Sequence, residues 1–299
     1  MSAPLVLHGV GKRYRRRWAL RDCTLTVPER AIVGLAGPNG AGKSTLLGLT
    51  VGLLAPTEGR VEVLGRDPRL EPEVLADVGY VAREAPLYRS FSVRDTIEFA
   101  RATNPGWDWS IASEYLTRLD PGQRVSSLTA GERSRLALAV ALGKRPALVL
   151  LDEPFERLDP LAARELLQLL MDGVSELEAT VLIASHVIAD IERVSDHIVL
   201  LDGHVRLEGS AEELISTHRL LTGAARPLGR IAGVEEIVRE RHSGRQMTLL
   251  VRIDGTVVDP SWSVDEIGLE DLLLAYMAPE RLPGPREPEP ERGRLRWHG

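Results

Sequence analysis

The 299-residue chain has a single cysteine, Cys23, which excludes an internal disulfide and fits a reducing compartment. No apolar run approaches the ~18 residues that cross a bilayer, and the first twenty residues lack the apolar segment of a secretory signal. Basic residues are not in excess, since the formal net charge is −6, so no overall field attracts nucleic acid or anionic lipid. We therefore expect a cytoplasmic protein whose membrane role would require a partner that supplies spanning helices.

The chain does contain short apolar segments that alternate with amphipathic ones. Strands closed by glycine or proline fill the first third, a helix is predicted over 42–54, and a helical pattern covers 92–119. Strands and helices then alternate to residue 209. This order predicts an α/β fold with a mostly parallel sheet.

The regular alternation of predicted strands and helices ends in the last third of the sequence. A linker is predicted over 220–233, two strands flank Ser243-Gly244, and a short helix is predicted within 264–277. We predict a nucleotide-binding domain over 1–220, a small accessory module over 221–278, and a disordered tail rich in proline, glutamate and arginine over 279–299.

The most informative segment is a glycine-rich turn between a predicted strand and a predicted helix. It reads GPNGAGKS and fits G-x-x-x-x-G-K-[ST], in which backbone amides and the start of a helix surround a phosphate. Lys43 would neutralise the β- and γ-phosphates, and Ser44 would ligate Mg²⁺. The alternative is a purely structural glycine turn. The nucleotide-binding residues predicted here are Gly37, Pro38, Asn39, Gly40, Ala41, Gly42, Lys43, Ser44 and Thr45.

Two adjacent acids close a second apolar strand. Asp152 is predicted to hold the metal ion, and Glu153 to act as the general base that polarises an attacking water. A solvated acidic turn is the alternative. The pairing with the glycine loop favours the catalytic interpretation.

Several motifs in a fixed order give the sequence a close resemblance to the nucleotide-binding domain of ABC transporters, over residues 5–209. GPNGAGKST resembles the Walker A motif, LTAGERSR the signature, LVLLDEP the Walker B motif with its glutamate, and RLDP the D-loop with Asp159. His186 stands at the switch histidine position. Tyr14 stands where the family places the aromatic residue that stacks on adenine.

The resemblance implies a P-loop NTPase fold with a RecA-like core, an antiparallel β subdomain and a short helical subdomain, here with a small C-terminal α+β extension. It implies ATP and Mg²⁺ as ligands and a head-to-tail dimer, formed either by two copies of this chain or by this chain and a related ATPase subunit. Thr129 and Gly131 of one subunit would contact the γ-phosphate bound by the other, and His186 would help to position the attacking water. Membrane permease subunits would convert dimer closure into transport.

The sequence departs from the family pattern at three places. Arg83 stands where the family usually has the Q-loop glutamine, and a guanidinium cannot ligate Mg²⁺ because it has only donors. Arg83 could touch phosphate, or point away while Glu84 faces the site. Ala130 and Glu132 replace a glycine and a glutamine of the signature, and residues 155–157 differ from the usual ones.

Residues 104–108, which read NPGWD, resemble a subgroup of bacterial ATPases that serve ABC-2 type exporters. We therefore expect an ATP-hydrolysing subunit that energises a separately encoded permease for export, bound at the inner face of the cell membrane. The alternatives are a soluble non-transport ABC ATPase and a nucleotide-binding regulatory subunit with little hydrolysis. The basic run over 12–17 is expected to flank the nucleotide or to lie in solvent, and no nucleic-acid partner is expected.

Overall fold

The computed structural model describes residues 3–277, and a six-stranded sheet lies at its centre. Five of its strands are parallel and the sixth, at one edge, is antiparallel to its neighbour. In spatial order the strands are β5 (Val78–Val81), β6 (Leu148–Asp152), β7 (Thr180–Ser185), β3 (Ile32–Ala36), β8 (His197–Leu201) and β9 (Val205–Ser210). β6 and β7 are buried along their whole length, as expected for parallel strands covered on both faces.

One face of this sheet is covered by a helix and a small antiparallel sheet. The helix is α1 (Lys43–Thr50), which is shorter than the predicted 42–54. The small sheet has the order β2-β1-β4, formed by β1 (Leu5–Tyr14), β2 (Arg17–Val27) and β4 (Glu58–Val63). Buried leucine and valine side chains join these elements to the central sheet in one cluster.

Helices cover the opposite face. They are α2 (Val93–Thr103), α3 (Trp109–Leu116), α4 (Ala130–Leu142) and α5 (Pro160–Leu177), with 3₁₀ turns at Pro72–Asp77 and Val125–Ser127 elsewhere. The predicted cap Ser92 begins α2 through a reciprocal capping box with Asp95. A second apolar cluster, centred on Leu136, Leu151 and Leu170, joins these helices to the sheet.

The C-terminal module is a four-stranded antiparallel sheet with one helix. Its order is β11-β12-β10-β13, formed by β10 (His218–Ala224), β11 (Val234–Ser243), β12 (Gln246–Ile253) and β13 (Trp262–Asp265), followed by α8 (Leu269–Met277). It packs on β8, α6 (Ile188–Glu192) and α7 (Ala211–Ser216) through a third apolar cluster.

Two sequence-based expectations for this module were wrong in detail. The segment predicted as a linker over 220–233 contains most of β10, and the first residues of the predicted 264–277 helix belong to β13. The two strands around Ser243-Gly244 are confirmed. The tail prediction over 279–299 lies outside the described residues.

No helix within residues 3–277 has both the length and the apolar character that a bilayer crossing requires.

Candidate nucleotide site

The site lies where three neighbouring parallel strands end. The glycine loop follows β3, Asp152 and Glu153 close β6, and His186 follows β7. Since β6, β7 and β3 are adjacent in the sheet, their carboxyl ends meet at one edge. This is the edge at which open α/β sheets bind ligands.

Two glycines allow the loop to pass close to other backbone. A Cβ at Gly37 would lie 2.2 Å from the carbonyl oxygen of Leu201. Gly42 has φ of 102°, and a Cβ there would lie 2.5 Å from Cδ2 of Leu20. Larger residues at either position would therefore push the loop away from its support.

Helix α1 starts without a side-chain cap among the residues described, because its N-cap is Gly42. Side chains cap five of the helices, α2, α3, α4, α5 and α7, whereas α6, like α1, has no side-chain cap within the described residues. The first amides of an uncapped helix are free to bind an anion. The loop and α1 therefore present donors to a phosphate.

Lys43 is buried beneath this loop, with 6% of its side chain exposed. Its Nζ donates to the carbonyl oxygen of Gly37 at 2.6 Å and to that of Pro38 at 3.3 Å, and lies 3.4 Å from Oε1 of Glu153. Burial lowers the pKa of Lys43, and the charge of Glu153 opposes this. The lysine is thus held by groups that it can exchange for phosphate oxygens.

Glu153 connects Lys43 to His186. One oxygen of its carboxylate accepts from the backbone N–H of His186 at 3.2 Å and lies 2.9 Å from Nδ1 of the same residue. The Glu153 side chain is 4% exposed and its backbone has φ of 49°, in the left-handed region. A non-glycine residue held there is uncommon and is often found at active sites.

Asp152 has the environment expected of a cation ligand. Its Oδ1 is buried and has no hydrogen-bond partner in the described part of the chain, and the hydroxyl of Ser44 is near enough to favour the charged carboxylate. Burial raises the pKa of Asp152, while Ser44 opposes the rise. An unpartnered buried carboxylate oxygen beside a hydroxyl fits a hard divalent cation such as Mg²⁺.

Tyr14 lies at the end of β1 with 45% of its surface exposed. The Nζ of Lys12 lies 5.3 Å from the centre of its ring and donates to the carbonyl oxygen of Ala55 at 2.7 Å. The exposed part of the ring is available for stacking on a planar ligand.

The predicted signature and D-loop residues are held by contacts near their own helices. Thr129 caps α4 in a capping box with Glu132, and Asp159 caps α5 by accepting from two backbone amides. A Cβ at Gly131 would lie 3.8 Å from Leu158, so this glycine faces the segment before Asp159. Among the contacts described, neither Thr129 nor Asp159 bonds to Lys43, Glu153 or His186.

An open cleft of about 620 Å³ extends from Glu153 and His186 towards the starts of α5 and α6. Two of its lining residues, Leu161 and Val187, are exposed apolar side chains. The two apolar side chains form part of the rim, which also carries the charged residues Glu156, Arg164, Asp190 and Arg193.

Arg83 pairs with a carboxylate of the turn after β6. Its guanidinium binds both oxygens of Glu156, with 2.7 Å between Nε and Oε2. Glu84 pairs with Arg157. Of the two placements considered for Arg83, the structure has it turned to a neighbouring carboxylate, and Glu84 is engaged outside the site.

Sequence reasoning identified Arg83 and residues 155–157 as departures but missed that they pair. A signal was present, because residues 83–84 read Arg-Glu and residues 156–157 read Glu-Arg. Matching charges 73 positions apart become meaningful only once β5 and β6 are known to be neighbours. The Glu132 cap was also missed, although Thr-x-x-Glu is its signature.

A glycine loop, a buried lysine and an acid at the end of a parallel strand are the features of the P-loop NTPase fold. The profile of the family described as ABC transporter matches residues 20–156. The chain belongs to this family as an ATP-binding subunit, and the predicted fold class is confirmed.

The similarity extends to named relatives and to solved structures. The chain is 31% identical over 185 residues to the ABC transporter ATP-binding protein YtrB of Bacillus subtilis strain 168, covering 61% of this chain and 63% of that protein. It is 35% identical over 208 residues to the thiamine import ATP-binding protein ThiQ of Salmonella typhimurium, and the match covers 64% of this chain and 86% of ThiQ. Among solved structures, a dimeric ATP-binding cassette in a post-hydrolysis state, bound to ADP and Pi, matches with a TM-score of 0.62 at 27% identity. The match covers 69% of this chain and 98% of that cassette.

Proposed function

We propose that this chain hydrolyses ATP to ADP and phosphate and thereby energises a separately encoded membrane permease. The observation that carries the proposal is the contact of Glu153 with both Lys43 and His186, at the point where the glycine loop opens. These contacts keep the buried Glu153 carboxylate ionised and fixed beside the glycine loop, which is the state that a general base requires. This arrangement favours hydrolysis over nucleotide binding alone.

Binding of the triphosphate would use the glycine loop and the start of α1. The amides of residues 37–45 would contact the phosphate oxygens, and Lys43 would leave Glu153 to neutralise the β- and γ-phosphates. Tyr14 would stack on the adenine ring.

Ser44 and Asp152 would hold Mg²⁺, because their oxygens adjoin and one carboxylate oxygen lacks a partner among the described residues. When bound, the ion would offset the negative charge of the phosphates.

Glu153 would act as the general base. The water oxygen would bond to the γ-phosphorus as the bond to the leaving β-phosphate oxygen breaks, and a water proton would pass to Glu153. His186 fixes the carboxylate through two contacts and would also reach the γ-phosphate.

A second ATPase subunit would complete each site. In this arrangement Thr129 and Gly131 of the partner copy would face the γ-phosphate, and Asp159 would lie near the junction. The dimeric cassette that resembles this chain supports the arrangement. The exposed Leu161 and Val187 also support it, because a partner subunit seated on this cleft would cover both apolar side chains.

The direction proposed is export, with the chain peripheral on the inner face of the membrane through its permease. The NPGWD segment supports this direction, whereas ThiQ is named for import. Co-purification of the tagged chain with the product of a neighbouring membrane-protein gene tests the partnership. Recovery of the chain alone from gently solubilised membranes would favour the soluble, non-transport alternative.

We also propose that residues 1–220 form the nucleotide-binding domain and 221–278 an accessory module. In the structure, β10 spans this boundary. The module's packing on β8 and α6 supports a role close to the ATPase core.

Phosphate release measured with wild type and Glu153→Gln tests the proposed chemistry. We expect a loss of at least about a hundredfold in kcat, the usual effect of removing a general base. Glu84→Gln is the control, since Glu84 is 71% exposed and pairs only with Arg157 among the contacts described. Equal turnover by wild type and Glu153→Gln, or no turnover by wild type with its permease restored, would contradict the proposal.

A further inference from the structure

Two adjacent ion pairs join the loop after β5 to the turn after β6. Arg83 binds Glu156 through two nitrogens, and Arg157 Nη2 lies 2.7 Å from Oε1 of Glu84. The first pair is bidentate, which fixes orientation as well as distance. The two loops are thus joined by a bidentate pair, Arg83–Glu156, and by a pair with a single hydrogen bond, Arg157–Glu84.

The two pairs differ in their surroundings. Glu156 is 25% exposed, whereas the side chains of Glu84 and Arg157 are both mostly in solvent. The bond to Glu156 raises the pKa of Arg83, and the charges of Glu153 and Asp152 act in the same direction. Arg83 therefore lies within the electrostatic range of Asp152 and Glu153, the acids that close β6.

Glu156 is also connected to Glu153 through the backbone. The N–H of Glu156 donates to the carbonyl oxygen of Glu153 at 3.3 Å, which closes a short turn. Glu153 begins this turn in the left-handed region, while its own N–H donates to Ala184 of β7 at 2.9 Å. A residue in that conformation keeps it only when its surroundings hold it there.

We propose that Arg83 is a positioning residue for ATP hydrolysis. By holding Glu156, it fixes the turn over 153–156 and so keeps the Glu153 carboxylate aimed at Lys43 and His186. Arg83 acts through Glu156 and not as a metal ligand, because a guanidinium has only donors. This inference rests on the proposed function, since it assigns a role in the reaction that Glu153 performs.

The steady-state kinetics of a double-mutant cycle test the inference with MgATP and the full-length chain. The variants are Arg83→Gln, Glu156→Gln and their combination. We expect each single change to lower kcat by roughly tenfold and to leave KM within about twofold, because a misaimed base slows the chemical step more than binding. The double variant should be no slower than either single variant, because both changes break the same contact.

The outer pair provides a matched control. Glu84→Gln and Arg157→Gln break a contact between the same two loops, and we expect kcat within about twofold of wild type. Arg83→Lys keeps the charge but loses the two-pronged contact, so it should restore only part of the lost rate. Melting temperatures within a few degrees of wild type would show that all variants remain folded.

Three results would overturn the inference while leaving the proposed function intact. They are an unchanged kcat in Arg83→Gln, equal losses for the inner and outer pairs, and losses that multiply in the double variant. A wild-type chain that neither binds nor turns over MgATP would instead remove the proposed function, and this inference with it.

Discussion

Asp152 carries a negative charge at a position where burial disfavours it. Folding raises the pKa of Asp152 above its unfolded value of about 3.9. Ionisation at neutral pH therefore costs stability, and this cost disappears as the pH falls below the unfolded pKa. The residue that is proposed to bind the cation thus makes the free protein less stable.

Asp152→Asn should accordingly stabilise the nucleotide-free protein at pH 7. We expect a gain of about 1 kcal/mol, or about 2–4 °C in Tm, and less than about half of that gain at pH 4, where the unfolded carboxyl is still about half ionised. Thermal melting at both pH values measures this, with the exposed Asp254→Asn as the control. Added Mg²⁺ and ADP should raise the Tm of wild type more than that of Asp152→Asn. A lower Tm for the variant at pH 7 would refute the assignment.

Tyr14 provides a second test at a single side chain. Tyr14→Ala should raise the Kd for ATP by roughly tenfold, because stacking on an aromatic ring contributes about 1–3 kcal/mol per base. Tyr14→Trp should bind within about threefold of wild type. Titration with a fluorescent ATP analogue measures both variants. If Tyr14→Ala binds as tightly as wild type, adenine does not stack there.

The residues of the site differed in how far the sequence could predict them. Lys43, Asp152 and Glu153 are fixed by motifs whose spacing is local, so their proximity follows once the strand order is assumed. The Arg83–Glu156 contact depends on two loops 73 residues apart and on the rotamers of long side chains. Local patterns hold no information on such a contact.

At the scale of elements, strand β10 shows where sequence patterns fail. It ends in Gly223 and Ala224, residues that are depleted in strands, and a proline follows at 227. The strand forms because β12 and β13 pair with both its edges, and Gly223 leaves room for the ring of Trp262. A Cβ at Gly223 would lie 2.8 Å from that ring. The conformation of β10 is therefore determined by its tertiary contacts with β12, β13 and Trp262.

The helix at the end of the module is tied to β10 by a buried histidine. Nδ1 of His218 lies 2.7 Å from the carbonyl oxygen of Leu214, and Nε2 lies 2.9 Å from the hydroxyl of Tyr276 in α8. Burial lowers the pKa of His218, and the charge of Arg252 adds to the effect, whereas the hydrogen bond to Leu214 and the charge of Glu236 oppose it. The neutral ring suits both contacts, because Nδ1 donates and Nε2 accepts.

The module should therefore loosen in mild acid. Since the folded pKa of His218 lies below the unfolded value of about 6.5, stability is fully present above that pH and is lost as the pH falls. Wild type should lose about 1 kcal/mol more than His218→Gln between pH 7.5 and 5.5. Melting curves at the two pH values measure this, and His242→Gln, in the exposed part of β11, is the control. Equal losses in wild type and His218→Gln would contradict the interpretation.

At the scale of the whole molecule, two apolar clusters on opposite faces of one sheet hold the site in place. Leu150 and Leu182 enter one cluster, and Leu151 and Ile183 enter the other. The alternation of strands and helices predicted this layered architecture correctly. It could not predict the fourth, smaller cluster within the C-terminal sheet, because Trp262 and Met247 meet there only through strand pairing.

The apolar rim of the cleft leads to a prediction about association. With MgATP, Glu153→Gln should form dimers, because the triphosphate persists between two copies. Adding Leu161→Glu should weaken that dimer, since it places a charge on the rim. Size-exclusion chromatography with light scattering measures the mass, and Leu274→Glu on α8 is the control. Monomers in all samples, or equal dimerisation with and without Leu161→Glu, would refute the role of this rim.

The central claim is that Glu153 drives hydrolysis of ATP held between two copies of the chain. Phosphate release per chain, measured at saturating MgATP over a range of chain concentrations, tests it most directly. The account predicts that the rate per chain rises with concentration to a plateau and nearly vanishes in Glu153→Gln at every concentration. A rate per chain that does not depend on concentration, or one that survives in Glu153→Gln, would contradict it.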